Sequence, residues 1–353
     1  MYPQRADEDR LDALREEAAR TGRVRSPGVV PIDSILPPRS SVAADYNGQP
    51  VLKAPVWTWE VPLYFFIGGI AGASAAIAFL AHLLEKSPDL IRAALWVGLA
   101  GALASPPLLI ADLGRPSRFL NMLRVFKWRS PMSLGAWTLA LFSSAVFLAV
   151  ACFELTHAGY GNALVSLVGW VAQAAAAMTG LVLLSYTSVL LGVTAIPVWS
   201  ENRRLLPPHF VASGLGAAAA ILELLGFFTS ATQTMAIAAA AVETAIGILI
   251  EVRARDVDRP LREGRVGWAI RIGGVLAGPV SLLLRIILGR VLWVRQLAGV
   301  CFIVGALISR FAWIAAGRAS AYDPQALFRI QRSRRPEITA MAADNSGVTE
   351  RSA

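Results

Sequence analysis

A few side chains in this sequence have the type and spacing to do chemistry. Glu60 and Tyr64 are four residues apart, hence on one face of any helix they share. A phenol can donate a hydrogen bond to a carbonyl oxygen, and a carboxylate can take up or release a proton. Asp112 and Arg115 open a basic stretch that the order of apolar segments places at the same end of the molecule. The competing reading of Tyr64, with Trp57 and Trp59, is an aromatic belt at a membrane interface. That of Asp112, Arg115 and Arg118 is an ion-paired loop that only keeps its shape. Glu223 and Glu243 each lie in an otherwise uncharged stretch. A carboxylate ionised at such depth costs at least ~2.5 kcal/mol, so each must be protonated, paired or reached by water. With Arg310 they are the candidates for proton transfer, against the plainer role of an interhelical hydrogen bond; Arg310 can pair with a carboxylate or snorkel.

The elements that must position these groups follow from composition. Of 353 residues 55% are hydrophobic and only 16% charged, and the charges cluster between long uncharged runs, as in an integral membrane protein. The expected fold is all-α, a bundle of eight transmembrane helices over residues 61–84, 93–111, 132–153, 164–196, 210–228, 231–250, 266–288 and 297–317. The fourth exceeds the roughly 20 residues a bilayer needs, so it must tilt, bend or protrude before Pro197 stops it. Arg271 and Arg285 weaken the seventh. Residues 1–55 read as a polar N-terminal extension without a cleavable signal sequence, 56–318 as the transmembrane domain, and 319–353 as a polar basic tail.

Between the second and third spans, Phe119, Leu120, Met122, Leu123 and Phe126 fall on one helical face and Arg118, Asn121, Arg124 and Lys127 on the other. This predicts an amphipathic helix lying in the interface, a roof under which a lipid-soluble molecule can meet a soluble partner. Twelve basic residues fall in the loops after the second, fourth and sixth spans, against four (Lys86, Arg92, Arg290, Arg295) in the opposite loops. That bias places both termini in the cytoplasm.

The net charge of +9 would suggest nucleic acid in a soluble protein, but here it is loop charge between spans, and no nucleic-acid partner is expected. Cys152 and Cys301 are too few for an iron–sulfur cluster, which takes about four thiolates. His82, His157 and His209 each lie near a span end, where histidines are more often interfacial than haem ligands. The chain is therefore expected to hold no redox centre of its own.

Four stretches resemble the NrfD-like family, the polysulfide-reductase-type membrane subunits. They are Trp59-Glu-Val-Pro-Leu-Tyr-Phe-Phe66 with Gly68-Gly-Ile-Ala-Gly72; Asp112-Leu-Gly-Arg-Pro116 with Ser130-Pro-Met-Ser133; Ser185-Tyr-Thr-Ser-Val-Leu-Leu191 running to Ile196-Pro-Val-Trp199; and Arg310 with Ala316-Gly-Arg318 and Ser320-Ala-Tyr-Asp-Pro324. Together they span about 55 to 325. The resemblance implies a subunit that binds quinone, menaquinone or ubiquinone, as an exchangeable substrate and exchanges electrons with a ferredoxin-like iron–sulfur subunit docked on the basic face. That subunit in turn usually connects to a molybdopterin catalytic subunit. On this reading Glu60, Tyr64, Asp112, Arg115 and Tyr186 bind the quinone, Tyr186 entering through the fourth-span likeness. Family members often turn this face to the extracytoplasmic side, whereas the charge bias here places it inside. The location implied is a prokaryotic cytoplasmic (inner) membrane. Two rivals come from other classes: a proton-coupled secondary transporter using Glu223 and Glu243, and a passive anchor for a soluble enzyme.

Overall fold

The structure, a computed structural model, describes residues 52, 54–112, 119–128, 130–253 and 256–323, all within the unit Leu52–Ala353. Arg115, Arg118 and Arg129, the N-terminal extension to residue 51 and the tail beyond 323 lie outside the described residues. Those described form helices joined by short turns, with no strand among them. In chain order they are α1 (Glu60–Leu83), α2 (Pro88–Asp112), α3 (Phe119–Met122), α4 (Pro131–Leu155), α5 (Ala163–Gly192), α6 (Pro197–Glu201), α7 (Leu206–Leu224), α8 (Ser230–Arg253), α9 (Arg259–Arg262), α10 (Gly264–Val275), α11 (Ser281–Leu288) and α12 (Leu292–Ala321).

Seven helical segments among the described residues are long and apolar enough to cross a membrane, α10 and α11 counting as one. The remaining expected span, the fifth (residues 210–228), is α7, a helix of 19 residues that falls outside that set. Pro207, Pro208, His209 and Glu223 lower its apolarity, and its placement explains why they are tolerated. Most of α7 is buried, including His209 and Glu223, so its polar groups meet other helices rather than lipid.

Local sequence sets the remaining boundaries. Pro131 opens α4 at its first position, and the Ser130 side chain accepts from the Ser133 N–H. Asn162 caps α5 in the same way, through Val165. α5 runs 30 residues, about 45 Å at the α-helical rise. It ends at Gly192, short of the expected residue 196, so Pro197 does not stop it but starts α6 after a turn. The seventh span is broken rather than continuous. α10 passes into α11 through a wider turn over Leu276–Val280, where Gly278 leaves the helical region (φ −87°, ψ −105°) ahead of Pro279. A Cβ on Gly278 would lie 3.0 Å from the Thr244 backbone nitrogen, so the break seats α8 directly against this backbone.

The amphipathic helix expected over residues 118–127 is shorter than the pattern suggested. Only the turn Phe119–Met122 is helical. The Ser133 hydroxyl accepts from Lys127 N–H at 3.0 Å and donates to the Val125 carbonyl at 3.4 Å, and these bonds compete with further helix. Phe126 nonetheless packs edge-on against Trp137 at 6.0 Å.

At the α1–α5 contact the two backbones meet without side chains between them. A Cβ on Gly72 would stand 2.3 Å from the Gly180 carbonyl oxygen, and one on Gly180 2.8 Å from that of Gly72. Without side chains the two backbones touch, which gains dispersion contact where lipid removes any hydrophobic drive for helix association. Gly72→Ala should therefore cost about 1–3 kcal/mol by overpacking, read as a lowered unfolding midpoint in detergent. Gly247→Ala, at a glycine with open space around it, should leave that midpoint unchanged.

Candidate functional site

Tyr64 and Tyr186 meet between α1 and α5. Their hydroxyl oxygens are 3.5 Å apart, and Tyr64 is only 1% exposed. Gly135 on α4 makes room for the pair, since a Cβ there would fall 2.4 Å from the Tyr186 Oη. The two phenols open onto a small cavity of about 50 Å³ that is also lined by Trp57, Asp112, Met122 and Met132. That is room for one or two water molecules. Met122 comes from the α3 turn, between the second and third spans.

Asp112 ends α2 and is tied to the start of α1. Its Oδ1 accepts from the Thr58 N–H at 3.3 Å and lies 3.4 Å from the Thr58 hydroxyl. The same hydroxyl donates to Glu60. Thr58 thus bridges two carboxylates, one of which, Asp112, lines the cavity. Above α1, Trp57 stacks on Trp199 at 5.5 Å and 15° and meets Phe65 edge-on at 6.3 Å. Trp199 is fully buried, donates to the Trp313 carbonyl at 2.9 Å and lies on Gly317, whose Cβ would be 2.1 Å from the ring.

Of the five residues expected to form one site, the structure gathers Tyr64, Tyr186 and Asp112 around the cavity. It puts Glu60 next to it through Thr58. Arg115 lies outside the described residues. Trp57, Thr58, Met122 and Met132 were not singled out as site residues. Met122 falls on the apolar repeat of residues 119–126, but nothing in the spacing of the others marks them: Trp57 and Thr58 precede α1, Met132 stands in the first turn of α4, and Thr58 joins the site through Asp112 without lining the cavity.

The other three candidates lie apart from this cavity, in two buried polar clusters. Glu243 on α8 places Oε2 2.9 Å from His209 Nδ1, and His209 Nε2 is 3.0 Å from the Ser309 hydroxyl. His209 is buried inside the bundle, not interfacial as its position near a span end implied. Arg310 neither pairs with a carboxylate nor snorkels. Its guanidinium sits 3.5 Å over the Phe210 ring and donates to the Phe210 carbonyl at 2.9 Å. Phe210 and Phe65 are 6.4 Å apart, so aromatic rings separate this cluster from the tyrosine pair.

Glu223 ends α7 between two cations. Arg285 Nη1 donates to one oxygen at 2.6 Å and Arg295 Nη2 to the other at 2.5 Å, all three residues being buried. Arg295 belongs to α12 and to this cluster, not to a loop. With both oxygens occupied, Glu223 takes the paired alternative that its depth allowed.

Other ion pairs are peripheral. Arg92 grips Glu154 with two bonds of 2.7 Å, Trp96 adding a third, and Arg271 meets Glu251 at 2.6 Å. Near the first of these pairs, His82, hydrogen-bonded to Gln173 at 3.0 Å, and His157 line a separate cavity of about 620 Å³.

The family model described as "Polysulphide reductase, NrfD" matches residues 48–254, more than half of the chain. The chain therefore belongs to the NrfD family, membrane subunits of polysulphide-reductase-like redox complexes. The match includes the tyrosine pair, Asp112, Glu223 and Glu243; α10 to α12, with Arg285, Arg295 and Arg310, lie beyond it. No curated protein matches the sequence.

The Glu223 cluster yields a stability prediction. Arg285→Ala leaves a buried carboxylate half-paired and should cost about 3–5 kcal/mol, measured by denaturant unfolding in detergent micelles. Arg271→Ala, which breaks a partly exposed pair, should cost at most about 1 kcal/mol.

Proposed function

We propose that this NrfD-family chain is the quinone-reactive membrane subunit of a multi-subunit oxidoreductase, and that quinone is converted to or from quinol against the Tyr64–Tyr186 pair. The observation that carries this is the convergence of a buried phenol, Tyr64, and a half-buried one, Tyr186, with Asp112 and Met122 around one cavity. Quinone reduction needs donors for a carbonyl oxygen, apolar walls and a supply of two protons for two electrons. Either phenol can donate to that oxygen, and Trp57, Met122 and Met132 supply walls. Asp112 and Glu60, joined through Thr58, connect the pocket to the aqueous face and supply or remove protons; Arg115 is a further donor on this reading.

Electrons cross to or from a ferredoxin-like iron–sulfur subunit on the basic face, itself joined to a molybdopterin catalytic subunit. Both termini and this face are cytoplasmic on the loop-charge bias, in the inner membrane of a prokaryote. Glu243, whose second oxygen has no hydrogen-bond partner among the described residues, is the proton-transfer candidate in the bundle interior. Menaquinone and ubiquinone fit equally, since the hydroxyls read only a carbonyl.

The cavity is too small to take a quinone ring as it stands, because ligand pockets hold about 300–1,000 Å³. The ring enters as the two methionines give way, their side chains being unbranched and adaptable.

Removing one donor from the pair should weaken quinone binding about tenfold. The test titrates purified protein in nanodiscs with a short-chain menaquinone and a short-chain ubiquinone. Tyr64→Phe and Tyr186→Phe should each raise Kd, and Gly135→Ala, which displaces the Tyr186 ring, should raise it as well. Wild-type affinity in all three variants would remove the pocket from the quinone pathway, and no binding of either quinone to the wild type would favour the passive anchor.

A further inference from the structure

The outer surface of the bundle carries a second feature that owes nothing to quinone chemistry. Between α1, α10 and α12 runs an open groove of about 570 Å³. Its walls along the spans are apolar: Val266 and Ala269 on α10 face Leu307, Ile308 and Phe311 on α12. At one end stand two arginines, Arg265 at the start of α10 and Arg318 near the end of α12. No carboxylate lines the groove.

The two cations have no ion pair of their own among the described residues. Moreover, Arg318 Nε is buried and lacks a hydrogen-bond partner there. A buried guanidinium N–H left unpaired is costly; Arg285 and Arg295 also leave such N–H groups unpaired but are held by Glu223, and Arg310 by the Phe210 carbonyl, whereas Arg318 has no such anchor among the described residues. Arg318 is thus built for an anion that this chain does not provide. The groove lies on helices of membrane-crossing length, so its apolar length faces hydrocarbon and its charged end the headgroup level.

We propose that this groove is a binding site for an anionic phospholipid. The phosphate bridges Arg265 and Arg318 as a charge-assisted acceptor, and an acyl chain lies along Ala269, Leu307 and Ile308. Zwitterionic lipids fit the apolar part but carry a cation that the two arginines repel. The groove also reaches Thr58, the residue that bridges Asp112 and Glu60, so a bound headgroup sits close to the tyrosine pocket. The site itself depends on the α1–α10–α12 geometry and two unpaired cations, and stands whether or not quinone binds to the tyrosines.

The test is native mass spectrometry of the full chain, released from nanodiscs made with an equal mixture of phosphatidylglycerol and phosphatidylcholine. About one phosphatidylglycerol should survive mild activation. Arg265→Ala with Arg318→Ala should lower its retention about thirtyfold, at roughly 1 kcal/mol per cation. Ala269→Phe, which fills the groove and leaves both charges, should expel the lipid too, and covers the case in which the double variant fails to fold. The lysine pair Arg265→Lys with Arg318→Lys should keep most of it. Equal retention of the two lipids by the wild type, undiminished retention in both the Ala269→Phe and double-alanine proteins, or displacement by millimolar inorganic phosphate would each overturn the assignment.

Discussion

In hydrocarbon a backbone has no water to bond, so each segment must close its hydrogen bonds within a helix and each buried charge must find a partner inside the bundle. Everything else in this molecule follows from how that constraint is met. Helices with apolar faces ring the outside; α7, with two prolines, a histidine and a glutamate, is enclosed. Its polar groups then become the points where other helices are fixed. Glu223 holds α11 and α12 through Arg285 and Arg295, and His209 meets α8 through Glu243 and α12 through Ser309. The groups that make α7 the weakest span by composition are those that give it its place.

Most of this architecture could be read from the sequence because the lipid makes apolar length decisive. The long uncharged runs marked the spans, Pro131 and Pro197 marked boundaries, and the depth of Glu223 already required a partner. What could not be read was pairing. Which residue would satisfy Glu223 depended on Arg285 and Arg295, 62 and 72 positions away, and no periodicity links them. Arg295 read as loop charge because its neighbours Arg290 and Gly289 belong to a turn. The adjacent Gly278 and Pro279 break the seventh span, a feature of the sequence independent of Arg271 and Arg285, the residues that weaken its apolar pattern. Over residues 118–127 the hydrophobic period was genuine, but a serine six positions on from Lys127 captured the backbone that the helix needed.

With Arg295 assigned to the bundle, the side opposite the basic face keeps Lys86 and Arg290 between helices and Arg92 near the start of α2. Arg92 is held by Glu154, but acidic partners count little in setting orientation, so the bias rests on the number of cations in loops and not on net charge. Arg265, expected among the loop cations on the basic side, stands in the first turn of α10 and belongs to the α1–α10–α12 groove. A residue counted as topogenic can therefore also be a ligand, and charge counting alone does not tell the two roles apart.

The tyrosine pocket shows where the structure is stiff and where it can yield. Trp57 is stacked on Trp199, which is itself buried, hydrogen-bonded to the Trp313 carbonyl and pressed on Gly317 of α12. Moving Trp57 would therefore disturb a contact between distant parts of the fold. The tyrosines are no freer, since Gly135 leaves no slack around the Tyr186 ring. On the opposite wall stand Met122, on a single helical turn, and Met132, which is 56% exposed. Two flexible thioethers against a rigid aromatic wall give the cavity one direction in which to widen. That direction is toward the second loop, the side on which the proposed iron–sulfur partner would dock, so an arriving quinone ring would lodge between the fixed phenols and the face where electrons are exchanged.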